Sequence, residues 1–260
     1  MLVAGGAGAA IGGVTYGVTH SRHQTQVVRS TIAVGGLPPR LDGLRIGLMT
    51  DLHHSHMVPQ SDIVHAASLL MNEAPDLIIL GGDYVSWGER RYMPPCAEAL
   101  SALRAPCGVF AVMGNHDDDR EMPAALTGRG FEVLRDARTT LVARGEPLNL
   151  IGIRYWTMGP RTIARLMKGA EGPTILLSHD PRRLAAAAEL DIPLVLSGHT
   201  HGGQVVLPIV GAVAARRFPV IAGLGRRGNT SIFVSRGVGT VYVPYRVNCP
   251  ADVSVLTLTG

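Results

Sequence analysis

The chain has 260 residues, of which 46% are hydrophobic but only 5% aromatic, and it carries a formal net charge of +4. This length suits one large domain or two small ones with a mainly aliphatic core. So modest a charge gives no reason to expect nucleic acid as a partner. Three cysteines without a CxxC spacing indicate neither a zinc knuckle nor a disulfide framework. No feature of the composition predicts a protein partner.

The first segment of the chain is uncharged and rich in glycine. Residues 2–19 contain six glycines, and no basic start of the kind typical of a secretory signal precedes them. Their length is marginal for a membrane span, and glycine favours helix formation poorly. A signal or anchor that starts upstream of Met1, a weak anchor as it stands, and a flexible apolar tail all stay open. We favour a membrane-targeting role and expect residues 1–43 to comprise this segment and a linker.

From residue 44 onward the sequence alternates short aliphatic runs with segments of helical periodicity. The predicted strands are 44–51, 76–83, 108–115, 148–156, 173–180 and 192–199, followed by strands near 231–236, 240–244 and 252–258. The predicted helices are 61–75, 96–103 and 180–189. Continuous apolar strands between helices are typical of an α/β protein whose sheets are covered on both faces.

Five of these aliphatic runs end in a polar side chain. The five end residues are Asp51, Asp83, Asn115, His179 and His199. Because open α/β sheets bind ligands at the carboxyl ends of their strands, we expect these side chains to lie close together. His53, His116 and His201 stand within two residues of these ends and join the candidate set.

This set of side chains has the chemistry of a metal site. Carboxylate, amide and imidazole groups suit Mn, Fe or Zn, and the absence of a cysteine cluster argues against a structural zinc. Two alternating pairs, Asp51 with His53 and His199 with His201, place both side chains on one face of an extended segment. The set is larger than one ion needs, so two ions that share a carboxylate fit it better.

The ordered blocks resemble a known superfamily. "TDLHHS", "GGDYV", "MGNHDD", "LSHDP" and "SGHTHGG" follow one another as in the calcineurin-like binuclear metallophosphoesterases, over about residues 44–202. The tail at 235–258 resembles a bacterial subgroup of membrane-associated or exported phosphoesterases. This resemblance implies a four-layer α/β/β/α sandwich of two mixed β-sheets flanked by helices, in a metallophosphoesterase domain at 44–260. It also implies a place in the bacterial cell envelope, either membrane-associated or exported.

The resemblance further implies two divalent metal ions, most simply Mn, with Fe or Zn as alternatives. The first ion would be bound by Asp51, His53 and His201, the second by Asn115, His179 and His199, with Asp83 as the bridging ligand. A hydroxide between the two cations would attack the phosphorus. His116 would act as general acid or as a charge-stabilising donor.

One departure from the superfamily pattern narrows the substrate. Its protein phosphatases continue the second block as GDYVDRG, whereas this chain reads "GDYVSWGER", with Ser86 and Trp87 in place of Asp and Arg. Tryptophan cannot form the bidentate phosphate clamp of an arginine. We therefore expect a substrate other than a phosphoprotein, and the group that orients His116 stays open. For the acidic run 117–119 we favour a solvated loop over a catalytic role.

An apolar loop with four arginines follows the last histidine block. Residues 207–229 contain Arg216, Arg217, Arg226 and Arg227. The loop is either a solvated surface segment or a cap that binds the anionic and apolar parts of a lipid-like substrate at a membrane surface. We include these arginines as candidate substrate-binding residues.

Together these features predict a metal-dependent hydrolase of a phosphodiester or pyrophosphate bond in a lipid- or nucleotide-linked small molecule. A phosphomonoesterase of broad specificity is the first alternative, and a non-catalytic metal-binding protein associated with the membrane is another. A dinuclear amidase or β-lactamase-like enzyme is less well supported, because the HxHxDH run typical of that class is absent.

Overall fold

The computed structural model describes residues 24–260, in which twelve strands form two six-stranded sheets. The first sheet has the spatial order β1 (Gln26–Ala33), β12 (Asp252–Thr259), β2 (Arg45–Met49), β3 (Leu77–Leu80), β4 (Val109–Ala111) and β5 (Glu132–Val133). The second has the order β10 (Gly223–Arg227), β11 (Thr230–Val234), β9 (Leu194–Ser197), β8 (Thr174–Leu177), β7 (Glu146–Gly152) and β6 (Ala137–Ala143).

Both sheets are mixed. In the first sheet β2, β3, β4 and β5 are parallel to one another, and β12 is antiparallel to β2. In the second sheet β7, β8, β9 and β11 are parallel, and the edge strands β6 and β10 are antiparallel to their neighbours. Parallel strands end at the same edge of their sheet, so the loops after them converge.

Within residues 24–260, five α-helices cover the outer faces of the two sheets. The helices are α1 (Gln60–Asn72), α2 (Met93–Ala99), α3 (Glu121–Thr127), α4 (Pro160–Met167) and α5 (Leu184–Glu189). Short 3-10 turns occur at Pro39–Leu41, Arg90–Tyr92, Pro181–Arg183, His201–Gly203 and Val213–Ala215. Among residues 24–260, no helix combines the length and the hydropathy needed to cross a bilayer.

Alternating side chains divide the core into three apolar layers. Leu77 and Ile79 of β3 pack between the two sheets, while Ile78 and Leu80 pack in the layer of α1, α2 and α3. Leu176 of β8 packs on the opposite side, in the layer of α4 and α5. Full burial of each such side chain contributes about 1.5–3 kcal/mol. The layers confirm the predicted four-layer α/β/β/α sandwich.

The segment predicted as a linker contributes a strand to this sandwich. β1 pairs in parallel with β12 over all eight of its residues, and its Ile32 is fully buried between the sheets. An ion pair joins Arg29 of β1 to Glu73 at the end of α1. The boundary predicted at residue 44 is therefore corrected, because the described part of the fold already includes β1. The predicted apolar segment, residues 2–19, lies outside the described residues.

Residues 240–244, predicted as a strand, form a loop instead. The amide group of the Gln204 side chain donates to the carbonyl oxygens of Val241 at 3.1 Å and Val243 at 2.9 Å. Its Oε1 accepts the backbone N–H of Val241 at 2.9 Å. One side chain thus satisfies backbone groups that a neighbouring strand would otherwise bond.

Candidate metal centre

The loops that follow five strands meet at one edge of the sandwich. Each of β2, β3, β4, β8 and β9 is followed by one of the polar blocks found in the sequence. The structure brings together all seven predicted ligands, namely Asp51, His53, Asp83, Asn115, His179, His199 and His201. Five of the seven are buried, and Asn115 and His199 are half-buried. His116 lies beside them.

Asp51, His53 and His201 form one group of possible metal ligands. Their ligand atoms lie within 4.8 Å of one another. His53 Nε2 is 3.0 Å from His201 Nε2, which in turn is 3.3 Å from Asp51 Oδ1. The carboxylate of Asp51 also accepts the backbone N–H of His199 at 3.0 Å, which fixes its orientation. Two imidazole nitrogens and a carboxylate oxygen so arranged can bind one divalent ion.

Asp83, His179 and His199 form a second group, again with ligand atoms within 4.8 Å of one another. Asp83 Oδ2 lies 3.1 Å from His179 Nε2 and 3.4 Å from His53 Nε2, so one carboxylate oxygen touches both groups. His179 Nδ1 bonds the carbonyl oxygen of Gly81 at 2.8 Å, which directs Nε2 toward the carboxylate.

Asn115 supplies an independent test of whether this set fits metal ions. Its Oδ1 is buried and has no hydrogen-bond partner among the described residues. A buried amide oxygen without a hydrogen-bond partner carries a desolvation cost of about 1–3 kcal/mol unless a ligand bonds to it. A divalent cation supplies that partner, and the remaining donors are those that Mn, Fe and Zn prefer. The residues present therefore fit a pair of divalent ions.

Burial keeps most of the histidines in the form that binds metal. It lowers the pKa of His53 and of His199 to about 3, and it lowers the pKa of His201 well below the usual range. Imidazole must be neutral to ligate a metal ion, and these rings are already neutral near pH 7.

His179 has the opposite electrostatic environment. Burial alone would lower its pKa, but the carboxylates of Asp83 and Asp51 raise it to about 10. Burial raises the pKa of Asp51 to about 6. Two buried carboxylates thus favour a positive charge at this point, and a divalent ion would supply that charge.

The backbone at the site is held in an uncommon conformation. Positive φ angles of 48° to 73° occur at five of the predicted ligands, namely Asp51, His53, Asp83, His199 and His201. Such angles cost energy in non-glycine residues and cluster at functional sites. Close packing adds a second constraint, because a Cβ at Gly198 would overlap Asp51 and one at Gly114 would overlap Asp83.

A backbone amide orients His116. The N–H of Trp87 donates to His116 Nδ1 at 3.1 Å, so a neutral His116 carries its hydrogen on Nε2. The Trp87 ring packs on the imidazole at 4.5 Å between centroids, and burial lowers the pKa of His116. The backbone N–H of His116 bonds Asp83 Oδ1 at 2.9 Å. His116 is therefore a neutral Nε2–H donor tied to the Asp83 carboxylate.

The acidic run after His116 is not a simple solvated loop. Asp117 accepts backbone N–H groups of Asp83 and Tyr84 at 2.7 Å and of Gly114 at 2.8 Å. That residue therefore supports the loop that carries Asp83. Asp118 accepts two amides at the start of α3, and only Asp119 is largely exposed. The expectation of a solvated loop was wrong for Asp117, because its carboxylate accepts hydrogen bonds from three backbone N–H groups.

A family model for the calcineurin-like phosphoesterases matches residues 44–203, which is more than half of the chain. The chain belongs to the calcineurin-like phosphoesterase family. It is therefore a metallophosphoesterase, a hydrolase of phosphoester bonds. Family membership and the clustered ligands together indicate a dinuclear site for divalent metal ions.

Named relatives extend beyond the matched segment. The chain is 33% identical to Phosphodiesterase YaeI of Escherichia coli, over 82% of each chain. It is 29% identical to Uncharacterized metallophosphoesterase YkuE of Bacillus subtilis, over 98% of this chain and 93% of the relative. A dimetal phosphatase from Danio rerio shares the fold, with a TM-score of 0.53 at 10% identity over 84% of this chain and 93% of that one.

An apolar pocket of about 450 Å³ adjoins the metal centre of this phosphoesterase. Asp83, Asn115, His116 and His199 line one side of it. The other side is formed mainly by aliphatic and aromatic side chains, including Val205, Leu207, Val213, Phe218, Val241 and Val243. A phosphorus at the metal centre would thus have an apolar space next to it.

The four arginines predicted to bind substrate lie in different places. Only Arg217 lines the pocket. Arg216 donates to the carbonyl oxygen of Val210 at 2.6 Å. Arg226 and Arg227 lie on β10 opposite the beginning of β11, toward the other end of the strand from the metal centre, and neither lines the pocket. Substrate binding by these three residues stays a prediction, to which the pocket next to the metal centre gives no support.

Several residues around the centre were not predicted. The Tyr155 ring lies 5.4 Å from the His199 ring, and its position after β7 is the only sequence signal for it. Arg246 is fully buried and donates to the carbonyl oxygens of Arg236 at 2.8 Å and Gly237 at 3.0 Å. Gly237 packs against Asp51. Arg246 thus supports the site from the tail at 235–258, which is distant in sequence from the ligand blocks.

Proposed function

We propose that this metallophosphoesterase is a phosphodiesterase with a dinuclear Mn centre. One ion would be held by Asp51, His53 and His201, the other by Asn115, His179 and His199, with Asp83 between them. The observation that carries this proposal is the Asp83 carboxylate, whose Oδ2 lies 3.4 Å from His53 Nε2 and 3.1 Å from His179 Nε2. A carboxylate shared by two ligand groups is what a bridging role requires.

The chemistry of hydrolysis divides between the ions and the protein. When bound, the two ions would lower the pKa of a water and offset the charge on the phosphate oxygens. The protein keeps His53, His199 and His201 neutral by burial, ready to act as ligands. Asp117 holds the backbone of the Asp83 loop through its amide bonds, so the shared carboxylate keeps its position as charge develops.

His116 would serve the phosphate and the leaving group. Its Nδ1 is occupied by the Trp87 amide, so Nε2–H is the free donor. That hydrogen can bond a phosphate oxygen and stabilise the negative charge that develops as the leaving group departs. Trp87 contributes a backbone N–H and a ring at this position, and no guanidinium. A phosphate monoester carries one more negative charge than a diester, and this position offers no arginine to bind it.

Two features favour a diester over a monoester. A diester has a second substituent, and the apolar pocket next to the centre offers space for one. A relative that is 33% identical is named a phosphodiesterase. We extend the proposal to a substrate whose second substituent is apolar, such as a lipid-linked phosphate or pyrophosphate met at the cell envelope. Nucleotide-linked pyrophosphates belong to the same bond class.

The test is a substrate panel with matched variants. Mn-loaded protein is assayed on an aryl phosphodiester, the corresponding monoester, nucleotide sugars and lipid phosphates. We expect the diester to be turned over at least about tenfold faster than the monoester, and Asp83→Asn to reduce both to background. Asp119→Asn, which alters an exposed carboxylate outside the ligand groups, is the control.

Two results would contradict the proposal. Faster turnover of the monoester would indicate a phosphomonoesterase of broad specificity. Two bound ions per chain without turnover of any substrate in the panel would favour a non-catalytic metal-binding protein.

A further inference from the structure

Exposed apolar side chains are concentrated around the mouth of the pocket. Eleven large hydrophobic side chains are exposed among residues 24–260. Six of them form what we call the apolar rim: Trp87, Leu207, Ile209, Val210, Val213 and Tyr242. Three of the six line the pocket itself, and Trp87 packs on Tyr242 with 5.2 Å between ring centroids. So contiguous an apolar surface is typical of an interaction site.

The tip of the apolar rim is a short turn that faces solvent. Two backbone hydrogen bonds join Leu207 and Gly211, at 3.1 and 2.8 Å, and Ile209 lies between them. Ile209 is fully exposed and has a φ of 70°, which is unfavourable for a β-branched residue. This conformation costs energy, and Ile209 buries no apolar surface within the described chain. We therefore expect the turn to contact another molecule or a membrane.

A group of arginines adjoins the apolar rim. Arg182, Arg217 and Arg227 line a depression of about 290 Å³ that also includes Phe218. The guanidinium groups of Arg182 and Arg217 lie 5.5 and 5.1 Å from the Phe218 ring. Arg182 is paired with Asp180, but Arg217 and Arg227 form no hydrogen bond or ion pair through their side chains in the part of the chain described. The depression can therefore accept an anion.

We propose that this face of the protein docks on an anionic lipid bilayer. Ile209 and Val210 would enter the interface, and Trp87 and Tyr242 would lie at the level of the headgroups, where such rings are favoured. The arginines of the depression would contact lipid phosphates. The mouth of the pocket would then open toward the membrane.

Charge distinguishes this occupant from a second copy of the chain. Two copies that met through this face would bring arginines of the same sign together, which is unfavourable. An anionic surface offers apolar contact and opposite charge at once. The docking does not depend on hydrolysis, because neither Ile209 nor Arg227 belongs to the metal centre or lines its pocket.

A local fluorescence probe tests the docking in the full chain, whatever its other membrane contacts. Ile209→Cys is labelled with an environment-sensitive fluorophore, and Val142→Cys, at an exposed valine of the edge strand β6, is the matched control. Labelled parent protein gives the background from native cysteines, and melting temperatures confirm folding. The vesicles contain phosphatidylcholine and phosphatidylglycerol in equal parts, or phosphatidylcholine alone.

We expect the probe at 209, but not at 142, to shift to the blue and to be quenched by lipid-borne quenchers on anionic vesicles. Arg227→Gln in the same background should weaken this response about fivefold in apparent affinity. Its neighbour Arg226, which lines a separate depression with Asp191, gives the control Arg226→Gln, for which we expect a smaller change.

Equal responses at positions 209 and 142 would overturn the docking, as would equal responses on neutral and anionic vesicles. A response that grows with protein concentration in the absence of lipid would identify a second copy as the occupant and would also overturn it. Turnover of a soluble aryl diester is measured on the same samples. Insertion without turnover would support docking and contradict the proposed function, so the two failures are distinguishable.

Discussion

The metal centre and the apolar rim share one edge of the sandwich but are built in opposite ways. The metal centre consists of polar side chains that are mostly buried, with several backbones at positive φ and with carboxylates fixed by amide bonds. The apolar rim consists of exposed hydrophobic side chains, and its turn is closed by two hydrogen bonds. Rigid placement suits ions, which tolerate little displacement, whereas an exposed apolar surface suits a deformable partner.

This difference predicts that substitutions in the two regions change different properties. Changes in the metal centre should remove activity on every substrate. Changes at the tip of the apolar rim, at Ile209 and Val210, should leave the turnover of soluble substrates unaffected. The predictions below run from the largest expected effect to the smallest.

His116→Ala should lower kcat about 10²–10³-fold on an aryl phosphodiester, because it removes the Nε2–H donor. Metal content, measured by elemental analysis, should stay at the parental value, since the ligand set is intact. A matched change in the other region, Ile209→Asp, should leave kcat on the same soluble substrate unchanged. Parental kcat in His116→Ala would contradict the assigned role.

Gly198→Ala should weaken metal binding about 10–100-fold, because the added Cβ would overlap Asp51 and Thr50 and displace a ligand. Activity should recover at high Mn concentration, which separates this effect from loss of folding. Gly159→Ala is the control, since a Cβ there meets no atom within 4 Å. An unchanged metal affinity in Gly198→Ala would show that Asp51 can move without consequence.

Arg217→Gln should raise KM about tenfold for a diester with an anionic, apolar substituent and leave kcat unchanged. The reason is that Arg217 lines the pocket, whereas Arg216 is bonded to the carbonyl of Val210. Arg216→Gln is therefore the paired control. Equal KM values for the two variants would show that Arg217 does not contribute to substrate binding.

The ligand groups were accessible to sequence reasoning because each lies directly after an aliphatic strand. Asp51 follows β2 and Asp83 follows β3, so a local pattern of strand and polar end locates them. Parallel pairing then brings the ends together, and the four-layer fold follows from the order of these elements.

Other features depend on contacts that no local pattern encodes. β1 has a mixed polar sequence and is stabilised by pairing with β12, more than two hundred residues away in the chain. The loop at 240–244 has a strand-like sequence, but the Gln204 side chain takes the backbone bonds of a partner strand. The orientation of His116 depends on a backbone amide at Trp87, and a backbone group leaves no trace in the residue type.

The most direct test of the dinuclear centre is a metal titration that counts ions and turnover together. Metal-free protein is titrated with Mn, bound ions are counted by elemental analysis, and diester turnover is followed at each step. We expect turnover to reach its maximum only when two ions are bound per chain, and His199→Ala to lose the second ion and the activity together. Maximal turnover with a single bound ion, or full activity in His199→Ala, would contradict the dinuclear centre.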